Sequence, residues 1–438
     1  MTKSIKFYNF FISLLAFTII SCSSSSNDPE IVPEILNGEP SDFSLLAVEN
    51  NALDISLKPT FIWENSIDPE SGIIRYNFLL DTINPPEILL FENIESTSLD
   101  LITPLGLSKK YYWQVEAKDE KNAITKSTVS TFSTVDLLIP NSPEVENAGF
   151  PIRNGHRCVV FKNKIWVIGG SYGGYLNDIW NSDNGIDWVL VTDSPNFSGR
   201  TGFTLTVFNN KMWLIAGYAG FRTNDVWSSE DGINWIQVTP NADFPERTEH
   251  SSLVYDNKLW VIGGSPKNQD SIFANDVWYT ENGIEWVMAT ESAQFEPRSD
   301  HSSVVFDGKI WVIGGNIASS QPIGDAWYSS DGVSWEKATS ENNVFPGRVG
   351  QFSVVFDNKI WLFGGFRYGG SGYQNDIWFS TDGSDWYEVI SNGPYTKRSG
   401  SDGAIFQDKI WMIAGGRHLN LSGSYNTNDI WSFGKKFN

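Results

Sequence analysis

Cysteine, histidine, methionine and charge are all scarce in this chain. Of its 438 residues only 2 are Cys, 4 are His and 4 are Met. Two cysteines, Cys22 and Cys158, exclude a multi-disulfide scaffold and any all-cysteine metal cluster within one chain. Basic residues are outnumbered, with 31 Lys+Arg against 52 Asp+Glu and a formal net charge of -21, so nucleic acid is excluded as a partner and anionic lipid headgroups are repelled on average. Charged residues make up 19% and hydrophobic residues 40%, too apolar a balance for a disordered chain. No apolar run is long enough for a bilayer: the stretch from Phe7 to Ile20 falls short of the roughly 20 residues a spanning helix needs. The length predicts two to four domains of ordinary size.

What is present begins with an address. Lys3 and Lys6 precede that apolar stretch, the pattern of a signal peptide over residues 1–21. The stretch ends in Thr18-Ile19-Ile20-Ser21-Cys22, which resembles a bacterial lipobox, with Ile19 where Leu is commonest. The resemblance implies that Cys22 is lipidated and becomes the mature N-terminus, lipid-anchored in the bacterial outer membrane, periplasmic or surface-exposed. Residues 22–34 are a polar tether. Residues 35–137 show short alternating runs broken by Asn, Pro and Gly. In Tyr112 to Asp119, Trp113, Val115 and Ala117 share one face while Gln114, Glu116 and Lys118 share the other. Thr60-Phe61-Ile62-Trp63 reads as a further strand, which lets Trp63 and Trp113 pack across two sheets. This stretch resembles a bacterial fibronectin type III-like sandwich, whose family role is spacing or adhesion.

Tryptophan is the surplus, at 19 residues. Lys-x-Trp motifs recur at Trp166, Trp213, Trp260, Trp311, Trp361 and Trp411, spaced 47, 47, 51, 50 and 50 residues apart. Asn-Asp-x-Trp or a close variant gives Trp180, Trp227, Trp278, Trp327, Trp378 and Trp431, and a third column gives Trp188, Trp235, Trp286, Trp335 and Trp386. Within a unit, His301 to Phe306, an Asp307-Gly308 turn and Lys309 to Gly315 read as a tight hairpin. Asp325 to Ser329, a Ser330-Asp331-Gly332 turn and Val333 to Trp335 supply two more strands. Four strands per period of about 50 residues predict radial repeats. The paired glycines, such as Gly169-Gly170 and Gly263-Gly264, with the downstream Trp, resemble Kelch repeats, with Ala216-Gly217 and Ala414-Gly415-Gly416 as departures. The Ser-x-Asp-Gly-x-x-Trp turns resemble degenerate sialidase Asp-boxes, a structural motif. The expected fold is therefore all-β: a six-bladed Kelch-type β-propeller over residues 141–438, preceded by the sandwich. The last unit lacks its third Trp, so Ser142 to Glu146 is expected to complete the final blade.

Antiparallel strand direction places the loop entering each first strand and the loop after each second strand on one face. The entering loops carry Arg153, Arg200, Arg247, Arg298, Arg348 and Arg398 in register. Such a ring can attract an anionic ligand, since a guanidinium matches carboxylate geometry, or can serve each blade's own packing. Three positions later stand His156, Phe203, His250, His301, Gln351 and Ser401, preceded by Gly155, Gly202, Glu249, Asp300, Gly350 and Gly400. A scaffold does not require what varies between its copies. Glu249, His250, Asp300 and His301 are thus the candidates for acid/base work or for holding a divalent metal at neighbouring blade tips, the alternative being that each acid orients its own blade's loop and each His packs. The remaining loops of this face carry Tyr172, Tyr175, Tyr218, Phe221, Arg222, Phe366, Arg367, Tyr368, Arg417 and His418, a setting that suits sugar rings or peptides. Cys158, inside an apolar run, reads as a small buried hydrophobe.

Two functions follow. One is a monomeric envelope lipoprotein that binds a glycan or an envelope protein on the propeller face, touching the membrane only through lipid on Cys22. The alternative is a sugar-active enzyme similar to Kelch-type sialic acid epimerases or mutarotases. Neither reading calls for a cofactor or a metal.

Overall fold

The computed structural model describes residues 37–267, 273–318, 322–338, 344–368, 372–419 and 423–436. Cys22, with the signal peptide and tether, lies outside the described residues. Every regular element among those described is a β-strand.

The amino-terminal part is two sheets. Leu45–Ala47, Thr60–Trp63 and Ser98–Asp100 make the smaller. The larger runs in the order Ala52–Ile55, Ser130–Thr134, Lys110–Lys118, Arg75–Asp81, Leu89–Ile94, with Ile124–Lys126 beside Lys110–Lys118. The alternation read in Lys110–Lys118 is observed, with Trp113, Val115 and Ala117 buried. Trp63 and Trp113 are both buried and meet through phenylalanines of the opposite sheet. Trp63 stacks on Phe78 with ring centroids 6.3 Å apart, and Trp113 tilts against Phe61 at 4.8 Å.

From Arg157 onward the chain forms five four-stranded blades and a sixth that supplies three strands. In the first, Arg157–Phe161, Lys164–Ser171, Tyr175–Ser182 and Val189–Thr192 lie in antiparallel order. The six innermost strands, Arg157–Phe161, Thr204–Phe208, Ser251–Tyr255, Ser302–Phe306, Phe352–Phe356 and Asp402–Phe406, touch one another in a closed circuit that returns from the last to the first. The chain is a six-bladed propeller.

Each tryptophan column has its own task in that ring. The Lys-x-Trp indole donates to the carbonyl five residues back, as Trp166 does to Phe161 O at 2.9 Å. Its ring lies on the turn glycine of the next blade: a Cβ at Gly232 would stand 2.4 Å from Trp166, and one at Gly185 of the first blade 2.5 Å from Trp411 of the last. That repeated contact explains why the turn is glycine. The third column packs edge-to-face on the phenylalanine that opens its own blade, as in Phe150–Trp188 at 5.2 Å and Phe244–Trp286 at 5.0 Å. In the paired glycines only the second is strictly demanded. Gly264 has φ 100° and a Cβ there would meet Thr248 O at 2.8 Å, whereas the first position accepts Ala216 at φ 53° and Ala414 at φ 50°.

Closure involves both ends of the propeller. Blade six supplies Asp402–Phe406, Lys409–Leu419 and Gly423–Phe433, and the missing outer edge is filled from before blade one. Glu144 N and Val145 O bond Ile430 O and N at 2.8 Å each, Ser432 Oγ donates to Glu144 at 2.5 Å, and the Asn428 side chain reaches Ala148 O and Phe150 O. The sandwich is seated on blade five. Lys359 is 2% exposed, paired with Asp54 at 2.8 Å and Asp357 at 3.2 Å, while Leu57, Val135 and Leu137 join the core of blades five and six. Removing residues 143–147 takes away the outer edge of blade six. It should lower the melting temperature by about 10 °C, followed by circular dichroism; unchanged melting would refute this closure.

Candidate functional site at the channel mouth

The six residues that precede the inner strands by two positions form a necklace around the central channel. All have left-handed backbones: Gly155 φ 62°, Gly202 61°, Glu249 57°, Asp300 51°, Gly350 59° and Gly400 63°. Backbone hydrogen bonds link them in sequence, Gly155 N to Gly400 O at 3.1 Å, Gly400 N to Gly350 O at 2.9 Å, Gly350 N to Asp300 O at 3.1 Å, Asp300 N to Glu249 O at 3.0 Å and Glu249 N to Gly202 O at 2.7 Å. A side chain in this conformation costs about 1 kcal/mol or more, which four of the blades avoid with glycine. Blades three and four accept that cost and carry carboxyl groups instead.

These carboxyls line a cavity of about 560 Å³ together with Asn154, Arg157, Thr201, Ser302, Gln351 and Asp402, with further serines and glycines in the wall. Glu249 and Asp300 hydrogen-bond to each other. Burial, then the neighbouring Glu249 charge, pushes Asp300 well above the usual carboxylate range, and burial raises Glu249 against the pull of Arg222 and Arg157. Two like charges in contact cannot both form cheaply, so the pair retains one proton to higher pH than a lone carboxyl would. Asp402 is also raised by burial, and its Oδ2 accepts from Cys158 N at 2.7 Å. Arg157 is the only Lys or Arg among the described residues lining the cavity. It comes from blade one, opposite blade four, and its charge favours ionisation of Glu249, Asp300 and Asp402.

The Arg ring is a correction. Arg153, Arg200, Arg247, Arg298, Arg348 and Arg398 are buried, and each clamps an aspartate of the Asn-Asp-x-Trp column: Asp178, Asp225, Asp276, Asp325, Asp376 and Asp429, at 2.5–2.8 Å. In Arg247, Nη1 and Nη2 grip both oxygens of Asp276, Nη1 also donates to Gly263 O at 2.8 Å, and Nε donates to Pro245 O at 3.2 Å. The second Asp oxygen takes the Trp278 indole at 2.7 Å, and the guanidinium lies over Phe244. With its donors spent, this ring is the frame of the blades and not a ligand anchor.

The imidazoles are a second correction. His156, His250 and His301 are buried. His250 Nε2 meets Thr204 Oγ1 at 3.1 Å and His301 Nε2 meets Ser251 Oγ at 2.9 Å, each in the preceding blade. Burial holds His156 and His250 well below the ordinary value and His301 down to about 3, so all three are neutral at physiological pH and His250 and His301 act as cross-braces between blades. All four acid/base candidates line the cavity; Glu249 and Asp300 meet there as a proton-holding pair, while the imidazoles of His250 and His301 are engaged by hydroxyls of the preceding blades.

The aromatic rim sits beside this mouth. Tyr172 and Tyr175 are exposed, Tyr175 meets Tyr218 edge-to-face at 5.5 Å, and Phe221 is 64% exposed. Arg222 is braced on blade three by Ser265 O at 3.0 Å and Ser265 Oγ at 2.9 Å, with its charge near Glu249. Across the face Phe366 packs edge-to-face on exposed Tyr368 at 5.0 Å. Arg367 is not gathered into the site: its charged neighbours are Arg348, Asp376 and Glu388. Arg417 and His418 lie outside the residues whose side chains are described.

Sequence reasoning missed Arg157 and Asp402. They belong to the next column, Arg157, Thr204, Ser251, Ser302, Phe352 and Asp402, which varies between copies as the Glu249 column does. The same test applied one residue later finds them.

Residues 111–315 and 249–436 match the model of the KLHDC2/KLHL20/DRC7 Kelch-repeats domain, overlapping matches that together span well over half of the chain. The chain belongs to the Kelch-repeat family. Among solved structures, one titled "Structure of YjhT" is similar at 15% identity with a TM-score of 0.56, covering 67% of this chain and 98% of that one, a likeness of fold. No curated protein matches the chain.

Two variants separate the Kelch frame from the site. Arg298→Ala strands the Asp325 carboxylate and should cost about 3–5 kcal/mol in urea unfolding. Asp300→Gly should instead stabilise by about 1 kcal/mol or more through backbone relief. Because the raised carboxyl favours the native state below its unfolded pKa and loses that contribution as pH rises through the folded pKa, the gain should be larger at pH 8 than at pH 4. An equal gain at both pH values would contradict the buried pair.

Proposed function

We propose that the channel mouth is an active site for acid/base interconversion of a small acidic sugar, an anomer or epimer exchange that needs no cofactor. The observation that carries this reading is the Glu249–Asp300 pair: two hydrogen-bonded carboxyls at the strained backbone positions where the other four blades have glycine.

The chemistry fits a pair holding one proton. With a cyclic hemiacetal in the cavity, the ionised carboxylate takes the proton of the anomeric hydroxyl while its protonated partner gives one to the ring oxygen. The bond from the anomeric carbon to the ring oxygen breaks and a carbonyl forms. Rotation of the open chain and reversal of both transfers close the ring on the other face, with no net oxidation. Arg157, on the opposite wall, is placed to hold an anionic group of the sugar, and the serine and threonine hydroxyls supply partners for its hydroxyls. We extend the proposal to placement: lipid on Cys22 anchors the protein at the envelope, with the fibronectin-like sandwich as spacer, and the mass of the mature N-terminal peptide tests it.

The test of the activity follows anomer exchange of galacturonate and N-acetylneuraminate by NMR on the purified protein. Glu249→Gln and Asp300→Asn should each lower kcat/KM at least about 100-fold. Activity should rise with the first ionisation of the pair and fall with the second, giving a bell whose limbs move when Arg157→Gln removes the cation. Saturable binding without exchange would leave a binding module on the same face; undiminished exchange in both variants would remove the pair from the mechanism.

A further inference from the structure

We infer that the ligand is the reducing-end residue of an oligosaccharide and not a free monosaccharide, with the Tyr175–Tyr218 pair as the platform for the second ring; this rests on the sugar reading above. Ser171 and Thr201 line the cavity. Tyr172 follows Ser171 directly, and Tyr218 is tied to Thr201 by two backbone hydrogen bonds of 2.8 and 3.0 Å. The aromatic surface therefore begins where the cavity wall ends. Tyr175, 46% exposed, meets Tyr218 at an interplanar angle of 72°, an arrangement that leaves a ring face uncovered for the C–H side of a pyranose.

Direction supports the same occupant. An anomeric carbon at Glu249 and Asp300 lies on blades three and four, while the platform lies on blades one and two. Blade one faces blade four across the channel, so the edge of the bound ring away from Asp300, where the next sugar of a chain is joined, faces the blade that carries Tyr175. A cavity of about 560 Å³ is larger than one pyranose needs.

Calorimetric titration of the full chain with galacturonate, digalacturonate and trigalacturonate tests this, alongside the NMR exchange assay on each. The longer ligands should bind about tenfold more tightly than the monosaccharide, and Tyr175→Ala or Tyr218→Ala should bring that ratio toward one, a change that a merely structural role would not select. Equal affinities across the series, or a ratio unmoved in both variants, overturn the platform while monosaccharide exchange keeps the active-site reading intact. Neither binding nor exchange with any of the three overturns both.

Discussion

The buried Arg–Asp–Trp clamp is the interaction on which the rest depends. In each blade an arginine from the entering loop holds the aspartate of the Asn-Asp-x-Trp column, a carbonyl of the paired-glycine turn and the face of an aromatic ring, phenylalanine in five blades and Tyr395 in the sixth, all largely out of solvent. Removing both charges from water is costly, and the cost is offset because every nitrogen of the fork finds an acceptor. The clamp fixes where the loop ends and the inner strand begins. The two columns that follow it, at the necklace and at the head of the inner strand, are therefore delivered to the same place six times, whatever their side chains are.

That delivery is what makes a site possible on a repetitive frame. Four copies keep glycine in the left-handed position and two carry Glu249 and Asp300. Among the lining residues, serines and threonines recur around the ring, and one copy contributes Arg157 while its neighbour across the closure contributes Asp402. A symmetrical scaffold thus holds a cation on one wall and a proton-sharing pair on the other. Low dielectric in the channel strengthens each of these charges' effects on the others.

How much of this was legible depends on which forces were local. The blades were, because turns, hairpins and tryptophan spacing are set within one period, and the missing third tryptophan pointed to the closing strand. Glu249 and Asp300 were legible as variation against a fixed background. The Arg ring was misplaced as a ligand anchor because strand direction gives the face of a loop but not the depth of its side chains; the paired aspartates lay 25–31 residues away and were counted only as part of a tryptophan motif. The imidazoles failed for a similar reason, since their partners, Thr204 and Ser251, sit in the neighbouring blade and no within-repeat pattern names them.

The closing contact between Val145 and Ile430 joins points 285 residues apart in the chain. A ribosome delivers the first partner long before the second, so during synthesis five blades exist as an open fan with bare edges at both ends. The molecule becomes a ring, and its channel mouth acquires both Arg157 and Asp402, only when the last strand arrives. Completion of the site and closure of the ring are the same event.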